Sequence, residues 1–461
     1  MRTTLLILFF LSANVLLYAQ INRNYEQELF SLLQNGKNFE AREFKVKYKD
    51  QLPPNKALEL LFNMHMSLAF NQSDSTIIYF EEFISNPDYG RNVAPLVGVY
   101  YFRLCETYEG KQQFDKAILT MERRIDNLKL NPYSLPTEVI VKELSEAENK
   151  ISSLKYKLQF EPIRRVISDG RNTQINLKDG SYIRFDAQYN GHTVETFFDT
   201  GISDFCIMEK TIADEIGVKY KSNQNGDYML KGRSIKANEG FIDSIELKGV
   251  KLFNIPVLVL ADKFTSYLPS NINPNLRQNL EQDLLKSRQV LCGLAVMKLI
   301  GKIEIDWKSN TLTFLKKDDH RPAASKWISN LMLVKNGAYL NMQINKTDFI
   351  GFLDLAGDYY LFLTYPYFFE SNSDYIRHDT QKPPFSRIGF FEVQENIERY
   401  RVNKPVIDFD GRTIDIIKYQ KDIYTVAGNN NFDGLVGLKF FKNTFSKTII
   451  DFSSMTIRCE D

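Results

Sequence analysis

Two stretches of this chain place an aspartate at the end of an apolar run, where a carboxylate can be held for acid or base chemistry. The first reads Phe197-Phe198-Asp199-Thr200-Gly201 and leads into a second apolar run, Phe205-Cys206-Ile207-Met208. An Asp-Thr-Gly tripeptide alone carries little weight, since average residue usage places one by chance in roughly a tenth of chains this long. The flanking runs give it weight, because they put Asp199 in a tight loop between strands expected to be buried. The second stretch reads Phe352-Leu353-Asp354-Leu355-Ala356, with Asp358 close behind as a rival. Asp354 is preferred, because only Phe352-Leu353 repeats the strand-then-aspartate pattern, whereas Tyr359 and Tyr360 follow Asp358 directly. A solvated loop aspartate is the bland alternative for both. Other chemistries lack their residues. His65, His192, His320 and His378 lie far apart and form no metal-ligand spacing, and there is neither a Gly-x-Ser-x-Gly elbow nor a phosphate-cradling glycine loop. No metal and no cofactor is expected.

The elements that must position these aspartates are strands. From about Glu161 onward, short alternating runs rich in Ile, Val, Phe, Tyr and Thr are separated by Asp-Gly, Asn-Gly and Lys-Gly turns, the pattern of an all-β region. This region repeats itself. One copy opens with Gly180-Ser181-Tyr182-Ile183-Arg184-Phe185 and the other with Gly337-Ala338-Tyr339-Leu340-Asn341-Met342. One closes with Gly293-Leu294-Ala295-Val296 before Ile303-Glu304-Ile305-Asp306-Trp307, the other with Gly434-Leu435-Val436-Gly437 before Ile449-Ile450-Asp451-Phe452. A duplicated β unit follows, one copy per lobe, joined near His320 to Lys326. The charge run Lys316-Lys317-Asp318-Asp319-His320-Arg321 is then a solvated linker. Val290-Leu291-Cys292-Gly293 supplies a late strand ending in glycine that can pack beside the Asp199 loop.

On these motifs the β region resembles the pepsin-like and retropepsin-like aspartic peptidases, whose lobes carry an apolar-apolar-Asp-Thr-Gly loop, a flap hairpin and a late apolar-apolar-Gly strand. Residues 175–320 carry the resemblance well and 327–461 more weakly. It implies a two-lobed acid-protease-like fold that hydrolyses peptide bonds in a peptide or protein substrate. Two carboxylates held close across the lobe interface cannot both ionise, so one keeps a proton while the other activates a shared water. Carried over residue by residue, Asp199 and Asp354 are the dyad, Thr200 the cross-lobe hydroxyl, Gly201 the close-approach glycine and Ser203 a loop residue supporting the carboxylate. Leu355 and Ala356 depart from the pattern in lobe two. A flap is sought near Tyr228 to Ile235, with Tyr228 and Gly232 at its tip. Those departures keep two other readings open: a catalytically inactive peptidase-fold protein used in binding or scaffolding, and a peptidase formed by lobe one pairing with its copy in a second chain.

The stretch from about Asn22 to Lys155 has a different period. Apolar residues recur at helical spacing, as in Tyr25, Leu29, Leu32 and Leu33, and Gly36, Pro53-Pro54, Asn86-Pro87 and Asn131-Pro132 punctuate them into paired helices. Leu104, Tyr108, Gly110, Phe114 and Ala117 resemble part of a tetratricopeptide unit, with a plain helical bundle fitting nearly as well. The expected organisation is a signal peptide over 1–19, a helical domain over 20–160 and peptidase lobes over 175–320 and 327–461. Met1-Arg2 before Leu5 to Leu11 and Ala19-Gln20 has the makeup of a cleaved signal, so the mature chain is expected to be secreted or periplasmic, bacterial, and without a membrane anchor. With 58 Lys and Arg against 57 Asp and Glu, no electrostatic reason points to nucleic acid. The helical domain is the candidate surface for a protein partner. The four cysteines Cys105, Cys206, Cys292 and Cys459 form no disulfide framework; Cys206 and Cys292 are expected buried and free, with a bridge between them left open.

Overall fold

A computed structural model describes residues 24–90, 93, 96–130, 134–167, 173–178, 182–221, 225–230, 233–267, 274, 277–278, 289–315, 329–334, 337–364, 376–378, 385–388, 393–397, 400–402, 406–415, 423–426 and 432–461. The signal sequence and the Lys316–Arg321 run lie outside them. The chain divides into two compact units, residues 1–151 and 152–461.

The described part of the first unit is helical. Helices Tyr25–Gln34 and Asn38–Lys47 are separated by Gly36, whose φ of 70° is the left-handed conformation that ends a helix at least cost in glycine. Asn55 accepts a hydrogen bond from the Leu58 N–H at 3.1 Å and starts the helix Lys56–Ala69, just past Pro53-Pro54. Leu104 and Tyr108 on Val97–Gly110 and Ala117 on Phe114–Leu130 are buried, with Phe114 half-buried. The turn at Asn131-Pro132 falls outside the described residues. Arg124 is fully buried and ion-paired to Glu143 at 2.5 Å, a contact that Gly98 makes room for, since a Cβ there would lie 2.2 Å from the Glu143 carboxylate.

Among its described residues the second unit is β strand apart from short helices and the end of the long helix Thr137–Lys157. In its first lobe, Arg184–Tyr189 buries Phe185, Ala187 and Tyr189 in alternation, as period-two patterning requires. It runs antiparallel to His192–Phe198, which lies parallel to Gln289–Cys292. That strand is antiparallel to Cys206–Glu209, which in turn is parallel to Val250–Leu260. The second lobe repeats the order. Gly337–Ile344 is antiparallel to Thr347–Asp354, which is parallel to Gly434–Gly437, then antiparallel Leu361–Thr364, then parallel Ile423–Val426. Each lobe also docks a hairpin strand on the first of these: Gln188 faces Glu246 in one, Gln343 faces Asp408 in the other.

The lobes share a third sheet of five strands, Thr173–Asn176, Thr311–Leu315, Lys302–Asp306, Lys447–Asp451 and Thr456–Glu460. Ile303 faces Ile450 across the seam, so the closing motif of each lobe pairs with its copy. Main-chain bonds along this seam tie the lobes together.

Candidate active site

Asp199 follows the last residue of its strand, and its N–H donates to the Cys292 carbonyl at 3.0 Å. The loop beyond it is fastened to the end of the neighbouring strand: the Gly293 N–H donates to Phe205 O at 2.9 Å and the Leu294 N–H to Ile202 O at 2.7 Å. Only glycine fits at 293, because a Cβ would lie 2.2 Å from the Asp204 carbonyl and 2.6 Å from that of Ile202. Asp199 is 3% exposed, and its Oδ1 accepts from the Gly201 N–H at 2.7 Å.

Lobe two builds the same frame with other side chains. Asp354 ends its strand opposite Gly437, whose N–H donates to Tyr360 O at 3.2 Å, while the Leu438 N–H donates to Gly357 O at 2.8 Å. A Cβ at Gly437 would come within 2.2 Å of the Tyr359 carbonyl. Ile202 and Gly357 thus sit at equal distance past their aspartates, as do Phe205 and Tyr360, which makes Asp354 the counterpart of Asp199. The rival Asp358 instead pairs with Lys439 at 3.2 Å.

The two loops meet at Thr200. Its hydroxyl donates to the Leu353 carbonyl at 2.6 Å and accepts from the Leu355 N–H at 2.9 Å, so it grips the main chain on both sides of Asp354. Leu355, 2% exposed, has no hydroxyl to return the contact. Ala356 packs against the lobe-one cluster of Phe197, Ile202, Ile207 and Leu291. Asp354 is 7% exposed and accepts a hydrogen bond on Oδ2 from the Tyr359 hydroxyl. Two buried carboxylates thus sit on loops joined by one hydroxyl, each bonded by a donor from its own loop.

In lobe one, residues 185–279 match the family model described as aspartyl protease. Over those residues lobe one is similar to the aspartyl proteases. A solved retropepsin-like aspartic protease from Rickettsia conorii aligns with 34% of the chain and 94% of its own length, at 15% identity and a TM-score of 0.21. No curated protein matches.

Ser203 is half-buried in the turn after Ile202. Tyr228 lies on a hairpin of Gly226–Leu230 and Arg233–Leu247, facing Ile235, and packs against the same lobe-one cluster. Burial and Glu239 push its phenol up to about 12. Gly232 lies outside the described residues. Cys206 and Cys292 face each other across their strands as buried free thiols, 3.7 Å apart at sulfur. Burial pushes the Cys206 thiol well up, which keeps it protonated and unreactive.

Sequence reasoning passed over two tyrosines near these loops. Tyr359 served only as an argument against Asp358, yet its hydroxyl reaches Asp354. Tyr182 from lobe one packs tilted against Phe197 at 5.3 Å between ring centroids, and burial followed by the charges of Asp358 and Asp354 in lobe two raises its phenol. Nothing in the spacing signals the Tyr359 contact; the loop must fold before its hydroxyl reaches Asp354.

Proposed function

We propose that this chain is an aspartic endopeptidase that hydrolyses peptide bonds through a water activated between Asp199 and Asp354. One carboxylate takes a proton from the water as its oxygen bonds to the scissile carbonyl carbon. The protonated partner donates to the carbonyl oxygen as charge gathers there. Collapse of the tetrahedral intermediate breaks the C–N bond, the leaving nitrogen takes a proton, and no covalent enzyme intermediate forms. The observation that carries this reading is the Thr200 hydroxyl, bonded to Leu353 O and Leu355 N, which fastens one aspartate loop against the other. Because that grip is made within one chain, it favours an intramolecular dyad over pairing of two copies of lobe one. The composition of residues 1–20 supports export of the mature chain.

A second reading, a silent peptidase fold used for binding, is favoured by Leu355 and Ala356. Cleavage of a mixed peptide library from acid to neutral pH, with and without pepstatin, separates the two. Asp199→Asn and Asp354→Asn are each expected to abolish cleavage while leaving the folded chain intact. Loss with Asp199→Asn alone would point to pairing between chains, and no cleavage by folded wild type would favour the silent fold.

A further inference from the structure

Lobe two lacks the hydroxyl side chain that follows the aspartate in lobe one, and its loop carries a different donor five residues on. We infer that Tyr359 is a positioning residue for the proposed reaction: its phenol fixes the rotamer of Asp354 so that this carboxylate faces its partner. The inference rests on the dyad reading.

Four observations carry it. The Tyr359 hydroxyl donates to Asp354 Oδ2 from a ring only 6% exposed, so the bond is shielded from competing water. The ring is clamped by its surroundings. A Cβ at Gly357 would lie 2.3 Å from Tyr359 Cε1 and 2.9 Å from Asp354 Oδ2, and one at Gly437 would lie 2.6 Å from Tyr359 Cδ2. Phe362 packs edge-on against the ring at 4.3 Å between centroids. The backbone is held as well, since the Lys439 N–H donates to Tyr359 O at 3.2 Å. Two glycines leave room for this phenol and an aromatic edge fixes its plane, so its oxygen has one place to go.

The corresponding place in lobe one is taken by Asp204, which cannot donate a hydrogen bond when ionised. Lobe one holds Asp199 by a different donor, the Gly201 N–H. In lobe two the phenol adds a side-chain restraint on Asp354.

The test uses the full mature chain with Tyr359→Phe, which keeps the ring and removes the hydroxyl, and Gly357→Ala, whose methyl displaces the ring from the carboxylate. On the peptide that wild type cleaves fastest from a mixed library, both variants are expected to lower kcat about 10- to 100-fold with KM within about twofold, the cost of a small carboxylate misplacement. A second arm needs no turnover. In chain labelled at the aspartate carboxyl carbon, the Asp354 resonance, assigned by its loss in Asp354→Asn, moves in Tyr359→Phe. A kcat within twofold of wild type, or an unmoved Asp354 resonance, overturns the inference. Full activity in Asp354→Asn would instead sink the dyad reading, and the resonance alone would then decide whether Tyr359 holds the carboxylate.

Discussion

The two lobes of the β unit reach one loop geometry with unlike side chains. Lobe one has Thr200, Gly201 and Ser203 after its aspartate; lobe two has Leu355, Ala356 and Asp358. What they keep in common is main-chain bonding and one glycine each: Gly293 and Gly437 close their strands against carbonyls that a Cβ would strike at 2.2 Å. The lesson is that the frame of the loop is set by backbone pairing between parallel strands. The residues after the aspartate tune how the loops touch each other, and they can be lost from one side while the frame persists.

This comparison can be broken most sharply at the shared glycines. Gly293→Ala and Gly437→Ala should each cost about 2–3 kcal/mol, because the neighbour is backbone and cannot swing aside. Urea unfolding would measure it. A Gly437→Ala chain as stable as wild type would mean that lobe two does not share the frame.

A smaller effect separates the lobes. Thr200→Val keeps the side-chain shape but removes the bonds to Leu353 O and Leu355 N, leaving a buried N–H unpaired. It should cost about 1–3 kcal/mol in unfolding free energy, with cleavage reduced about tenfold if the loops part by a fraction of an ångström. Leu355→Met, which touches the matching position in lobe two, removes no hydrogen bond and should cost under about 1.5 kcal/mol. Equal costs would show that Thr200 is not the member that grips.

The smallest expected change is at Ala356, whose methyl packs on the lobe-one cluster. Ala356→Gly should change cleavage by less than about threefold and stability by about 0.5–1 kcal/mol, mostly through backbone freedom. A gain above tenfold in cleavage would show that this methyl, rather than the missing hydroxyl, is what distinguishes lobe two.

Much of this was legible in the chain itself. Alternating runs and turn residues announced the strands, helical spacing announced the first unit, and the recurrence of Gly-apolar openings and Gly-Leu closings announced the duplication. Asp199 was legible because three cues coincide there: an apolar strand before it, the Thr-Gly after it and a late strand ending at Gly293. Other features were not. The hairpins at Lys248-Gly249 and Asp410-Gly411 occupy matching places on the two sheets, with φ of 100° at Gly249 and 73° at Gly411, yet their flanking strands share too little pattern to align by eye. Cys206 and Cys292 lie far apart in sequence, and their direct opposition depends on the register of two strands.

The sequence by itself showed a helical first part, a β-rich remainder and an aspartate at the end of an apolar run, because those follow from periodicity and local backbone preference; it did not show the short helices Lys210–Glu215, Leu294–Ile300 and Leu438–Thr444 within the β region. Only the tertiary structure decided that the two closing motifs pair into one sheet, that Thr200 reaches past its own lobe to the main chain around Asp354, and that Tyr359 turns its hydroxyl onto that aspartate. These depend on contacts between residues distant in the chain or on the exact direction of a side chain in a folded loop, and neither is set by local preference.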